Sequence, residues 1–398
     1  MQSANLCISC KGGRNLCGNY PCPLLAKFKV EPKINQSIDK DFFGPATSVF
    51  VGHNGYPTVN IGPLAAIELK DDIENPSAWY GKDYNEIIEL RSLLLRSKVS
   101  HHIKSKDNFI MENRELALAK RPTDVEMNFI KRPVYKVSFS DIHQPMGPTA
   151  QLEKMKLTEN PHISRNVEYI VTDDLKAADA SLKLYNENLD VYKITTILSS
   201  GALGFEKNQK LVPTRWSITA VDDIITKNLL QDIRKYPSVN DFQVYSGQFL
   251  DNHFEILLMP GNWEYEGFEA WSPQSVWAQG AKQASVVEEY EPFEGRKSYA
   301  DKQGGGYYAA RIAVVEHLHK IKRQARVVVF REIYEGYNIP LGVWVVRENA
   351  RKAMLNQTGK FASMDADLNF IKSRLKYPLE NYKQQSILLR QKRLVDWF

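Results

Sequence analysis

Apolar residues recur along this chain with two periods, and their alternation sets the expected elements. Residues 48–52 and 58–62 are short runs rich in β-branched side chains, and Gly55 and Pro57 between them give a hairpin its turn. Residues 83–98 place Ile87, Leu90, Leu94 and Leu95 at helical spacing, which predicts a helix. A strand is expected over 134–139, a helix over 173–186 opened by two acids, and a strand over 191–198. Residues 222–235 read as a helix that starts at the acid pair Asp222 and Asp223. Strands are expected over 253–259 and 263–271, joined by a Pro-Gly turn. In the second of these, Glu264, Glu266 and Glu269 are interspersed with Trp263, Tyr265 and Phe268, the pattern of a sheet with one wet face. Residues 307–322 form the clearest helix and 326–334 the clearest strand, with further helix inside 342–354 and 361–375. The mixture predicts an α+β fold.

Composition adds the domain count. At 398 residues the chain is longer than one core usually supports, and 43% hydrophobic with 25% charged residues is ordinary globular usage. The polar stretch 288–306, ending in Gly304, Gly305 and Gly306, is the best boundary. The expected organisation is a four-cysteine module over 1–25, a mixed α and β domain over 26–290, a C-terminal α/β region over 291–382 and a tail over 383–398. The triple glycine reads first as a helix lead-in and second as an anion cradle, without the lysine of a phosphate loop. No apolar run reaches the length of a membrane span and no signal peptide opens the chain, so a soluble, cytoplasmic protein is expected. A net charge of +5 permits contact with nucleic acid without demanding it.

The sharpest chemistry lies at the two ends. All four cysteines, Cys7, Cys10, Cys17 and Cys22, fall in the first 22 residues with spacing C-x2-C-x6-C-x4-C. Four thiolates on so short a segment suit one tetrahedral zinc ion, with Gly12, Gly13 and Gly18 to turn the chain. An iron–sulfur cluster is the alternative, because Cys22 is followed by Pro23 as in some cluster motifs. Lys11 and Arg14 are available to phosphate or simply to solvent. At the other end, Gln391, Leu394, Trp397 and Phe398 follow the pattern of peptides that dock on sliding clamps. On a 3₁₀ turn residues i and i+3 eclipse, so Leu394 and Trp397 point the same way and Phe398 extends the apolar plug. The competing reading is an amphipathic end folded back on its own core, with 383–390 as the last turns of a helix.

Between the ends, Arg215, Trp216, Ser217, Thr219, Asp222 and Asp223 crowd together. Arg215 for phosphate, Trp216 for base stacking and Asp222 with Asp223 for ribose or Mg²⁺ describe a nucleotide pocket. A strand leading into a helix capped by Asp222 is the plainer reading. Asn54, Tyr56 and Asn60 sit among Gly52, Gly55 and Gly62, which let a ligand approach the backbone but more simply make turns. His101 and His102 are expected to follow a helix and to be exposed. His143 beside Asp141 lacks a nucleophile to serve.

The stretches from Phe50 to Pro63, Gln144 to Pro148 and Val212 to Asp223, joined by the cysteine head and the tail, resemble the archaeal Nre family. Gly305 to Arg311 and Leu341 to Arg347 carry the resemblance into the last part of the chain. The resemblance implies a role in DNA damage repair, a C4 zinc finger on Cys7, Cys10, Cys17 and Cys22, and an interaction with the sliding clamp PCNA through Gln391, Leu394, Trp397 and Phe398. It implies a split into N-terminal and C-terminal regions and transfers no established catalytic activity. Three classes fit these features. One is a DNA-binding repair factor recruited by the clamp. Another is a repair enzyme with a nucleotide, ADP-ribose-like or metal-dependent nuclease site around Arg215–Asp223. The third is a scaffold bridging partners.

Overall fold

The computed structural model describes residues 38–134, 147–273, 275, 278, 281–337 and 339–391. The four cysteines, all but Val134 of the strand expected over 134–139, Asp141, His143 and the tail residues 392–398 lie outside the described residues. Described residues through Ile225 form one compact unit, and those from Thr226 form a second.

The first unit begins with β1 (Asp41–Val51), β2 (Thr58–Ala66), α1 (Tyr84–Ser92), β3 (Leu94–His102), α2 (Asn108–Leu118), β4 (Thr123–Phe129) and β5 (Thr149–Leu157). The five strands close into a barrel in the order β1-β2-β3-β5-β4. β1 runs antiparallel to both β2 and β4, and β2 to β3, while β3 and β5 are parallel. This order, with a helix between β3 and β4, is the topology of an OB barrel, and closure leaves no strand edge unpaired. Alternate residues fill the interior, with Val125, Met127 and Phe129 from β4 meeting Phe42, Val49, Leu95, Leu152 and Met155.

Residues 67–93, including α1, are an insertion between β2 and β3. Asp83 starts α1 with a reciprocal capping box: its side chain accepts from the Asn85 and Glu86 amides, and Glu86 accepts from the Asp83 amide. The helix expected over 83–98 therefore stops at Ser92. Leu93, Leu94 and Leu95 are consecutive buried residues that feed the barrel strand instead.

The unit continues with α3 (Arg165–Thr172), α4 (Ala177–Asn186), α5 (Val191–Ser199) and α6 (Thr214–Ile233), the last running across the division into the second unit. Two expectations are corrected here. The segment 191–198 is helix rather than strand: Asp190 caps it through the Lys193 amide, and its buried positions Val191, Ile194, Thr195, Ile197 and Leu198 follow a helical period. Its β-branched composition misleads. The helix expected from Asp222 begins at Thr214, so Asp222 and Asp223 lie in its interior and cap nothing.

The second unit adds β6 (Phe242–Phe249), β7 (Asn252–Met259), β8 (Glu264–Trp271), β9 (Ser285–Glu291), α7 (Gly305–Ile321), β10 (Arg326–Ile333), α8 (Trp344–Ala353), β11 (Gln357–Phe361), α9 (Met364–Lys372) and α10 (Leu379–Lys383). Its sheet has the order β11-β6-β7-β10-β8-β9, with β10 parallel to β8 and the other pairs antiparallel. Strands before and after residue 290 thus share one sheet, and the compact units divide at 225/226. β7 and β10 are buried throughout. β8 is not half wet as its alternation suggests: Glu266 and Glu269 are buried with Tyr265 and Phe268. Each buried carboxylate has found a partner, which is why the strand tolerates them.

Candidate nucleic-acid interface

The two interior clusters singled out from the sequence meet at one end of the barrel. β1 ends and β2 begins there, β3 ends there, and the start of α6 is pinned against them. The Val51 amide donates to Thr214 Oγ1 at 3.0 Å, and Ser199 Oγ lies 2.9 Å from the same hydroxyl. The Leu211 amide donates to the Ile103 carbonyl at 2.8 Å, while Leu211 itself packs with Val51, Val59, Ile61 and Ile103. The Pro213 carbonyl accepts from the Trp216 and Ser217 amides, which fixes the first turn of α6.

Residues 53–57 form the turn between β1 and β2. Gly55 has φ +82°, and a Cβ there would lie 2.8 Å from the Thr58 carbonyl oxygen, so the turn requires glycine. The turn presents Tyr56 to Trp216, with ring centroids 5.0 Å apart and planes at 57°. Both rings stay open to solvent, at 43% and 44% exposure. Arg215 stands exposed beside Trp216, and Lys104 and Lys210 are exposed on the neighbouring loops.

The outer face of β2 and β3 runs away from this platform. Thr58 pairs with His102 and Asn60 with Ser100, all four exposed. Arg96, on the same outward register of β3, lays its guanidinium 3.5 Å from the centroid of Phe50. Burial pushes Arg96 down to about 10, so it remains charged at neutral pH. His101 and His102 are the last residues of β3 and do not follow a helix. The His101 ring stacks on Phe109, and its Nδ1 lies 3.2 Å from Asp107 Oδ2.

The acids of the sequence cluster do not join the platform. Asp222 is buried, and it sits two helical turns, about 10 Å, beyond Arg215 along α6. Trp216 has Tyr56 as its neighbour instead. Phe50 and Thr214 lie in stretches that carry the family resemblance but were given no role there, and Arg96 was not singled out by sequence reasoning. Only the pairing of strands shows their place.

The second unit holds a different chemistry, a set of buried charges satisfied by one another. Arg331 donates to Glu269 at 2.6 Å and to the Asn252 side-chain carbonyl through two nitrogens at 3.0 and 2.6 Å. Arg311 and Tyr307 both donate to Glu291. Ser246 donates to one oxygen of Glu255, while His253 and Arg374 lie at 3.0 and 2.7 Å from the other. A carboxylate between serine and histidine leaves that histidine no serine proton to take. At the triple glycine, a Cβ on Gly306 would collide with the Glu269 carboxylate. The first turn of α7 therefore packs on an acid, as a helix lead-in does.

The segment before the clamp-like motif is tied to this sheet. Glu266 accepts from the Ser386 hydroxyl, from the Ile387 amide at 2.5 Å and from the Leu388 amide at 3.3 Å. Burial raises the Glu266 pKa above the usual carboxylate range, and those donors oppose the shift. Leu388 is buried in the core. Arg326 donates to the Leu388 carbonyl at 3.3 Å and to the Gln391 side-chain oxygen at 3.0 Å. Residues 379–383 are helix, and 384–391 are a docked turn rather than its continuation.

The described chain is thus an OB-topology barrel with an exposed aromatic and cationic end, together with an α/β sheet unit that anchors a C-terminal segment. It belongs to the archaeal Nre family. Residues 16–278 match the N-terminal Nre region and residues 291–397 the C-terminal Nre region. The interval between those regions contains the start of the polar stretch that composition marks as a boundary. The chain is 38% identical over 398 residues to the DNA repair protein NreA of Archaeoglobus fulgidus, covering 98% of each. It is 35% identical over 392 residues to the DNA repair protein NreB of the same organism, covering 97% of each. It is 38% identical over 328 residues to the DNA repair protein NreA of Haloferax volcanii, covering 79% of this chain and 78% of that protein. No solved structure matches the chain. Among the described residues no helix is long and apolar enough to cross a membrane.

Proposed function

We propose that this chain is a DNA repair protein brought to DNA by the sliding clamp PCNA. The reading rests on its likeness, over nearly its whole length, to relatives named DNA repair proteins. The motif Gln391, Leu394, Trp397 and Phe398 gives the clamp its handle, and the anchor at Glu266 and Arg326 gives that handle a fixed base. Cys7, Cys10, Cys17 and Cys22 would hold zinc as a structural site that folds its own segment. The alternative is a repair enzyme with a nucleotide, ADP-ribose-like or metal-dependent nuclease site around Arg215–Asp223, where Asp222 is buried two helical turns along α6 from Arg215.

The test is calorimetric titration of the full chain with PCNA from the same cell, beside a chain ending at Arg390 and a Phe398→Ala variant. Binding that disappears in both supports the proposal. Equal binding by all three, or none by any, overturns it. For the metal site, Cys10→Ser should lower bound zinc, read by elemental analysis. Iron with sulfide in place of zinc would select the cluster alternative.

A further inference from the structure

We infer that the barrel end carrying Tyr56, Trp216 and Arg215 binds single-stranded DNA. The inference rests on the DNA repair reading and names the form of substrate that this part of the chain takes. Three independent features converge. Barrels with this strand order offer the face of β2 and β3, and the β1–β2 turn, to oligonucleotides. In this chain that turn carries one exposed ring and the helix beside it carries another, 5.0 Å apart. Both residues are exposed, at 43% and 44%, so their rings are not simply core. Stacking on unpaired bases is what such rings offer, since every base has a π-face.

The charges fit the same ligand. Arg215 is exposed next to Trp216 in sequence, and Lys104 and Lys210 are exposed beside Ile103 and Leu211, whose backbones are hydrogen-bonded at this end of the barrel, so cations are available to phosphate. Thr58, Asn60, Ser100 and His102 supply exposed hydrogen-bonding groups along the adjoining strands. Gly55 removes the side chain that would hold a backbone off the turn. A duplex is the poorer fit. Its bases are stacked inside, and the first turn of α6 is tied into the barrel through Thr214 rather than standing free to enter a groove.

The experiment uses the full chain and a fluorescein-labelled oligothymidylate, read by anisotropy, beside the same strand annealed to its complement. Trp216→Ala and Tyr56→Ala are each expected to weaken single-strand binding about tenfold. Trp216→Leu, which keeps apolar volume without a stacking face, should lose as much and guards against a folding defect. Arg215→Ala should flatten the plot of log affinity against log salt by about 0.7. Tyr169→Ala removes an exposed ring on α3 and should change nothing. Duplex as tight as single strand overturns the inference. So do folded Trp216 and Tyr56 variants that bind like the parent, or no binding at all. The clamp titration reports separately: if it succeeds while these fail, the repair reading stands and only the single-strand assignment falls.

Discussion

Asp367 offers the most exacting test of the second unit. It lies in the first turns of α9, wholly buried, and among the described residues neither carboxylate oxygen has a hydrogen-bond partner. Burial pushes its carboxyl from the ordinary 3.8 up to about 7. The helix N-terminus favours the charge by at most about 1 kcal/mol, which burial outweighs. The sign follows from which state holds the proton. Below 3.8 the carboxyl is protonated in both folded and unfolded chains, and the fold carries no charge penalty. As pH rises toward 7 the unfolded chain ionises while the folded one does not, so stability falls by about 1.4 kcal/mol per pH unit. Above 7 the loss levels off, with an upper limit of about 4 kcal/mol. Asp367→Asn should remove this dependence. The new amide is equally short of partners at every pH, so its cost cancels when conditions are compared. Urea unfolding at about pH 5 and about pH 8 measures the difference, with the variant gaining about 2–3 kcal/mol on the parent at the higher pH. A gain below about 0.5 kcal/mol would refute the reasoning and mean that the carboxylate is solvated within the fold.

Three further outcomes are expected. Glu266→Ala strips three donors of their acceptor and should cost about 2–4 kcal/mol, with protease cutting first within 384–391. Arg331→Met leaves Glu269 buried without its partner and should cost about 3–5 kcal/mol in denaturant, largely restored by adding Glu269→Leu. Gly55→Ala forces a side chain onto the Thr58 carbonyl at positive φ and should cost at least about 1 kcal/mol, lowering the thermal midpoint of the first unit and weakening single-strand binding together.

Legibility in the sequence tracked how local each feature's cause is. β7, β10 and α7 could be read directly, because each is a long apolar run or a sustained helical period, and β8 could be placed from its alternation though not its burial. The barrel could not. Its closure depends on β1 meeting β4 and β3 meeting β5, pairings that no short window contains, and α1 is inserted in the middle of its meander. Residues 191–198 are helix where a strand was expected, because Val, Ile and Thr favour strands when nothing else is known, whereas the Asp190 cap decides the local geometry. At the candidate site, Tyr56 and Trp216 each stood out, yet the contact between them joins residues far apart in the chain. Asp222 stood out for its charge, but its burial on α6 depends on packing that no short window shows.

The docked turn at 384–391 also fixes a length. Among the described residues Gln391 is the last one held to the sheet, and six residues of sequence lie between it and Phe398. Fully extended, that leash spans at most about 25 Å. A partner gripping Phe398 is therefore kept within about one small domain's width of the Arg326 side chain. So short a tether gives the partner a local concentration in the millimolar range for any second contact with this chain. A partner that also takes the Gln391 side chain must first draw it from Arg326, a bond worth about 1–3 kcal/mol. Capture of Gln391 by a partner and the strength of its bond to Arg326 are thus linked.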